Sequence, residues 1–295
     1  MKFVFVILHY CAVETTIKAI NSILREIQGV EYEIVVVDND SPDSSRTLLQ
    51  EKYKCFSCFH LLQNLKNEGF ARGNNVGYRY AREVLKADFI IVMNNDVILQ
   101  QREFCTKILE IYKESKFYVL GPDIVGIDGR HQNPHRLKTF SLREINRIIV
   151  NRAIILAYLE MKRILKLSEK VQILEQWDTK RGLKEREAID SSVMYTNVVL
   201  HGSCLIFSPE YVKSEQEAFY KETFMWMEEE ILAYLCQKKG YRMVYSPSLK
   251  VYHMEGISTE AAKDRNEKYF FYSQQLRKSA LIMKKLLRET DRGKR

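Results

Sequence analysis

The chain has 295 residues, 46% apolar and 28% charged, enough to bury a full core, and no uninterrupted apolar stretch is long enough to span a bilayer. Its 46 basic against 38 acidic residues give a net charge of +8, which admits a nucleic acid, a membrane surface or an anionic substrate, so placement of the basic residues must decide. Six scattered cysteines (Cys11, Cys55, Cys58, Cys105, Cys204, Cys236) include one Cys55-Phe56-Ser57-Cys58 pair; no second pair or His cluster completes a zinc site, so free thiols are expected.

Residues 3–8 read as a first strand. Met1 to Leu8 lacks the small-residue cleavage site of a signal peptide, which points to a cytoplasmic protein. Ile17, Ile20, Ile23, Leu24 and Ile27 recur at helical period. Tyr32 to Val37 is a second buried strand ending in Asp38-Asn39-Asp40-Ser41-Pro42-Asp43. Three carboxylates in six residues suit either an Asx-rich turn or hydrogen bonding to a nucleotide's base and ribose.

A short third strand covers Phe59 to Leu62. Asn67-Glu68-Gly69-Phe70-Ala71-Arg72-Gly73-Asn74-Asn75-Val76-Gly77 then reads as an Asn/Gly loop feeding a helix from Tyr78, able to bring amides to an anion. It is neither a dinucleotide fingerprint nor a P-loop. The run Phe89 to Met93 is a fourth strand buried on both faces, and Asn94-Asn95-Asp96 stands at its carboxyl end, where ligands of an open parallel sheet lie. A lone carboxylate there suits a hard cation carried by a phosphate, though a strand-ending turn favours the same residues. A helix follows at Phe104 to Tyr112, and the alternation predicts a doubly wound α/β unit.

From about Gln132 to Tyr195 apolar residues recur helically among Arg143, Arg147, Arg152, Lys162 and Arg163, a basic amphipathic stretch suited to a membrane surface or to packing on its own domain. Strand character resumes at His201 to Phe207. Glu228-Glu229-Glu230 then open a helix that stops at Lys238-Lys239-Gly240. Three first-turn glutamates favour the helix dipole. The aromatic residues before them suggest a partly buried place where a carboxylate can act as a base. Successive positions lie about 100° apart, so Glu230 is expected to face away from Glu229. Late strands at Tyr241 to Tyr245 and Lys250 to His253 precede an aromatic, basic helical tail from Tyr269.

In this order the motifs resemble the inverting family 2 glycosyltransferases with the GT-A fold, particularly the rhamnosyltransferase-like members of bacterial polysaccharide, cell-wall and capsule biosynthesis. The carrying residues are Val36 to Asp43, Asn67 to Gly77, Asn94-Asn95-Asp96, Glu228-Glu229 with Gly240-Tyr241, and His253-Met254-Glu255-Gly256-Ile257-Ser258. The likeness covers 3–99 and 198–258, whereas 132–195 departs from it. It implies a Rossmann-like, mostly parallel sheet flanked by helices. Its expected parts are a nucleotide-sugar half (1–131), a helical insert (132–197), an acceptor half (198–262) and a basic helical tail (263–295).

By the same resemblance, Asp38, Asp40, Asn67, Gly69, Asn74 and Asn95 would bind the nucleotide, and Asp96 with His253 would hold Mg²⁺ or Mn²⁺ against the diphosphate. Glu229 would be the base. The family's Asp is here Glu, so Glu228 stays a candidate, and His9 stands where the family has a first-strand Asn. The donor would be dTDP-rhamnose or a UDP-sugar. The acceptor would be a lipid-linked saccharide or growing polysaccharide met at the inner face of an anionic membrane. No nucleic acid is expected, and a homodimer is left open. A nucleotidyltransferase would share the sheet but need a basic element after strand one, which Cys11-Ala12-Val13 does not supply. A catalytically inactive partner subunit is the remaining alternative.

Overall fold

The computed structural model describes residues 1–164, 189–254 and 265–292. The elements in chain order are β1 (Lys2–His9), α1 (Val13–Glu26), β2 (Glu31–Asp38), α2 (Ser45–Tyr53), β3 (Phe59–Gln63), α3 (Gly69–Glu83), β4 (Phe89–Asn94), β5 (Val97–Ile98), α4 (Phe104–Ser115), β6 (Val119–Gly126) and α5 (Leu142–Ile164). They continue as β7 (Tyr195–Thr196), β8 (Cys204–Phe207), α6 (Pro209–Ser214), α7 (Glu228–Lys239), β9 (Met243–His253) and α8 (Arg265–Arg292).

One sheet runs β3-β2-β1-β4-β8-β6-β9-β5, with β7 pairing to β9. Strands β1 to β4 are parallel, as are β6 and β9, and β8 lies antiparallel between β4 and β6. Strands from the first 131 residues and from 198–262 therefore share one sheet.

Alternate residues of the central strands are buried on opposite faces. Phe3, Phe5, Ile7, Ile34, Val36, Phe89, Ile91 and Met93 pack under α1, α2 and α4. Val4, Val6, Val35, Val37, Ile90 and Val92 pack under α3 and α7. Cover on both faces explains why these strands read as solid apolar runs. The C-terminal helix α8 packs against α5 and α7 through Ala280 and Met283 with Ile145, Met227 and Ile231. All six cysteines are free.

Two readings change. The stretch 67–77 is helical from Gly69 onward rather than a loop to Tyr78. Gly73 and Gly77 serve packing of α3 on the sheet: a Cβ on Gly73 would sit 2.6 Å from Leu8 Cδ1, and one on Gly77 2.4 Å from Val6 Cγ1. The two late strands expected at Tyr241 to Tyr245 and Lys250 to His253 are one longer strand, β9, whose residues 247–249 are extra in its pairing with β6, where the register shifts between Pro122 and Asp123.

Candidate active site

Register puts the site on one edge of the sheet. Asp38 is opposite His9, and Leu8 opposite Asn94, at the carboxyl ends of β2, β1 and β4. Because β8 is antiparallel, its amino end reaches the same edge, where Asn94 N donates to Ser203 O at 2.8 Å. Strands β6 and β9 end there too, with Gly126 opposite His253.

At the β2 end Asp38 is buried, and its Oδ1 accepts from Ser41 N at 3.3 Å. The neighbouring Asn39, outside the expected site residues, does more structural work. Its Oδ1 accepts from Asn64 Nδ2 and Glu68 N, while its Nδ2 faces Asn67 Oδ1 at 3.1 Å and Gly69 O at 3.2 Å. Asn67 Oδ1 also accepts from Gly69 N, so Asn67 and Gly69 shape the turn into α3. Gly69 has φ +74°, and a Cβ there would meet Phe224 O at 2.3 Å; only glycine fits this approach. Asp40 is exposed, with φ +65°.

Asn74 lies buried within α3, donates to Phe70 O at 3.0 Å, and leaves Oδ1 buried without a hydrogen-bond partner. Asn95 points elsewhere: its amide donates to Thr16 Oγ1 at 3.1 Å. Thr16 and Ser45 hold the His9 ring between them at 2.8 Å each, and burial pushes the His9 pKa down. A buried, clamped His9 is a support of the edge, a role hidden in the sequence because both partners lie on following helices.

Asp96 and His253 come together. Asp96 Oδ1 lies 3.1 Å from His253 Nε2, and β5–β9 pairing fixes the approach, with Val97 opposite His253. His253 Nδ1 sits 2.8 Å from Gln132 Oε1; the tautomer that donates from Nδ1 to that oxygen turns the Nε2 lone pair toward Asp96, the arrangement in which the two side chains would share a cation, whereas the tautomer with its proton on Nε2 donates to Asp96. Among the described residues no third His, Cys, Asp or Glu joins them in a metal cluster. One carboxylate and one imidazole fit an ion whose other ligands come from phosphate and water. His201 approaches this pair, its ring 5.8 Å from that of His253 and 5.6 Å from that of His135. Neither His201 nor Gln132 stood out in the sequence.

The glutamates of α7 divide sharply. Trp226 and Met227 both have positive φ (68° and 71°), an uncommon pair of left-handed residues that sets the helix entry. Glu229 is half-buried and faces the β8 edge, with its Oε1 3.7 Å from where a Cβ on Gly202 would be. Glu228 is buried, and burial, then the nearby Glu229, raises its pKa to about 8. Glu230 does face away, but into the protein: it is buried 3.6 Å from Arg136 Nε. Arg136 in turn lies 3.8 Å over the Phe140 ring and 3.4 Å from Glu144. The remainder of the closing motif, Glu255 to Ser258, lies outside the described residues.

Residues 4–173 match the family model described as Glycosyl transferase family 2. The chain belongs to glycosyl transferase family 2. Two curated relatives align with part of it. The low-salt glycan biosynthesis hexosyltransferase Agl10 of Haloferax volcanii is 26% identical over 110 residues, covering 37% of this chain and 34% of the relative. The dTDP-rhamnosyl transferase RfbF of Shigella flexneri is 29% identical over 129 residues, covering 43% of this chain and 42% of the relative. The aligned region thus spans less than half of either relative.

Among solved structures, S. aureus TarS 1-349 in complex with UDP-GlcNAc superposes with a TM-score of 0.54 at 17% identity, covering 96% of this chain and 67% of that one. GalNAc-T7 with UDP, GalNAc and Mn²⁺ gives 0.56 at 13% identity, covering 92% and 50%. At these identities the likeness establishes a shared GT-A fold for this family 2 chain. Among the described residues no helix is long and apolar enough to cross a membrane.

Proposed function

We propose that this family 2 chain is an inverting glycosyltransferase that moves a sugar from a nucleoside-diphosphate donor, dTDP-rhamnose or a UDP-sugar, to a lipid-linked or polysaccharide acceptor. The observation that carries the reading is the alignment of Asp38, the Asp96–His253 pair and Glu229 along one sheet edge. The relatives' names, a dTDP-rhamnosyl transferase and a hexosyltransferase, support the donor class.

In this reading Asp38 accepts from the donor's base or ribose. Asp40 in the turn after β2, and Asn67, Gly69 and Asn74 at the start of α3, help hold the nucleotide beside it. Asn95 contributes by steadying Thr16 rather than by touching the nucleotide. Asp96 and His253 would hold Mg²⁺ or Mn²⁺, which when bound offsets charge growing on the departing diphosphate.

Glu229 takes the acceptor hydroxyl's proton as that oxygen attacks the anomeric carbon opposite the leaving group. One displacement inverts the carbon. Glu228, with its raised pKa, holds its proton near neutral pH and is the weaker base candidate. The basic segment 132–195 and the tail would bring the protein to an anionic membrane face, where a lipid-linked acceptor resides.

The deciding experiment is a thermal-shift screen of UDP-, dTDP- and GDP-sugars with Mn²⁺ or chelator, followed by NMR of the product's anomeric configuration. Donor binding raises the apparent melting temperature by mass action. No shift with any nucleotide sugar, or a product of retained configuration, would refute the reading.

A further inference from the structure

Helix α5 carries a face that the packed protein does not use. Its inner side is accounted for: Ile145 packs on α7 and α8, Leu159 packs on Tyr269, and Arg152 reaches Tyr269 and Ser273. On the opposite side Val150, Ile154, Tyr158, Met161 and Ile164 stand in the solvent, each between 39% and 71% exposed. The first four follow the spacing i, i+4, i+8, i+11, which gathers them on one stripe of a helix. A soluble protein scatters exposed apolar residues; a continuous stripe marks a surface that meets something.

The charges around the stripe identify what it meets. Arg143 and Arg147 are exposed and extend the same stripe toward the helix start. The helix has only two acidic residues. Glu144 accepts from Ser141 N and Oγ and pairs with Arg136, and Glu160 pairs with Arg163 at 3.0 Å. Helix α8, packed alongside, adds exposed Lys278, Lys285 and Arg288 against exposed Glu267 and Glu289, an excess of basic over acidic groups. An apolar stripe in a basic surround is complementary to an anionic lipid surface, where apolar side chains enter the headgroup boundary and arginines meet phosphates.

We propose that the outward face of α5, led by Ile154 and Met161 with Arg143 and Arg147, lies in the interface of an anionic membrane. This deepens the membrane part of the proposed function and rests on it. The face is on the α5–α8 side of α7, so docking there sets the orientation of the helix that carries Glu229 relative to the bilayer.

The test is flotation of the full chain with vesicles of phosphatidylcholine alone or with about one-third phosphatidylglycerol. The protein should float only with the anionic vesicles and release as salt rises. The double variant Ile154→Asp/Met161→Asp should lower partitioning at least about tenfold, since two apolar contacts are replaced by charge. Val84→Asp, an exposed apolar residue at the end of α3, is the control and should bind as the parent does.

Unchanged melting of the double variant by circular dichroism separates loss of docking from loss of fold. If it binds as well as the parent, the α5 assignment is wrong and the membrane contact lies elsewhere. If the parent itself fails to float, the membrane reading falls with it, while donor binding by thermal shift still judges the transferase reading. A concentration-dependent dimer that the double variant dissociates, without vesicle binding, would reassign the face to a second copy of the chain.

Discussion

Asp96 Oδ1 and His253 Nε2 are 3.1 Å apart across 157 residues of sequence, brought together by the antiparallel pairing of β5 with the end of β9. Strand pairing therefore builds the pair before any ion or nucleotide arrives.

Asp96→Ala should abolish the metal-dependent part of donor binding, and His253→Ala should weaken it less, because carboxylate is the harder ligand. Calorimetry with a nucleotide sugar, with Mn²⁺ or with chelator, reads both effects. Full metal dependence in Asp96→Ala would remove this residue from the site.

Asp38→Ala should weaken donor affinity while leaving the melting curve close to the parent's. Asn39→Ala should do both kinds of damage. It breaks contacts to Asn64, Asn67, Glu68 and Gly69, at about 0.5–1.5 kcal/mol each, and frees the turn into α3. Urea unfolding beside donor titration separates the two variants.

Glu229→Gln retains shape but cannot accept a proton, so kcat should fall by about 10²–10⁴ with donor affinity near normal. Glu228→Gln mimics the protonated form of Glu228 and should keep most activity at neutral pH. The reverse pattern would move the base to Glu228. Glu230→Gln weakens the buried pairing with Arg136 and should cost stability.

Stability should fall as pH rises through the range in which Glu228 titrates. Its folded pKa of about 8 exceeds the ordinary value of 4.5, so the folded state binds the proton more tightly. That contribution is complete below pH 4.5 and lost as pH climbs through 8. The Glu228→Gln variant should flatten the slope, which for one group reaches at most about 1.4 kcal/mol per pH unit. Denaturant midpoints at several pH values test it, and equal slopes in the two proteins would contradict it.

Gly77→Ala should destabilise. Alanine gains up to about 1 kcal/mol in helix propensity, yet its methyl would lie 2.4 Å from Val6 Cγ1 and 2.9 Å from Val37 Cγ2, and overpacking of this kind costs about 1–3 kcal/mol. Chemical denaturation gives the sign.

The buried strands and their polar ends were legible because cover on both faces leaves solid apolar runs such as Phe89 to Met93. The α3 start was not. Asn and Gly between 67 and 77 have the local signature of a loop, and only the nearness of Leu8, Val6 and Phe224 explains the glycines. Helical spacing shows that Glu230 faces away from Glu229 but not that it is buried, because its partner Arg136 comes from the segment that departs from the family pattern. Asn39 was hidden between two more conspicuous aspartates, although its amide holds the turn.

The antiparallel β8 carries a consequence for synthesis. Among the described strands β6 pairs only with β8 and β9, both of which are made later, and β4 has an open edge until β8 arrives. A nascent chain that has emerged only through α5 therefore presents an open edge on β4 and a β6 without a strand partner on either side. Ribosome-bound fragments ending before Cys204 should need chaperone protection, and release of Phe207 is the point at which the sheet can close across its middle.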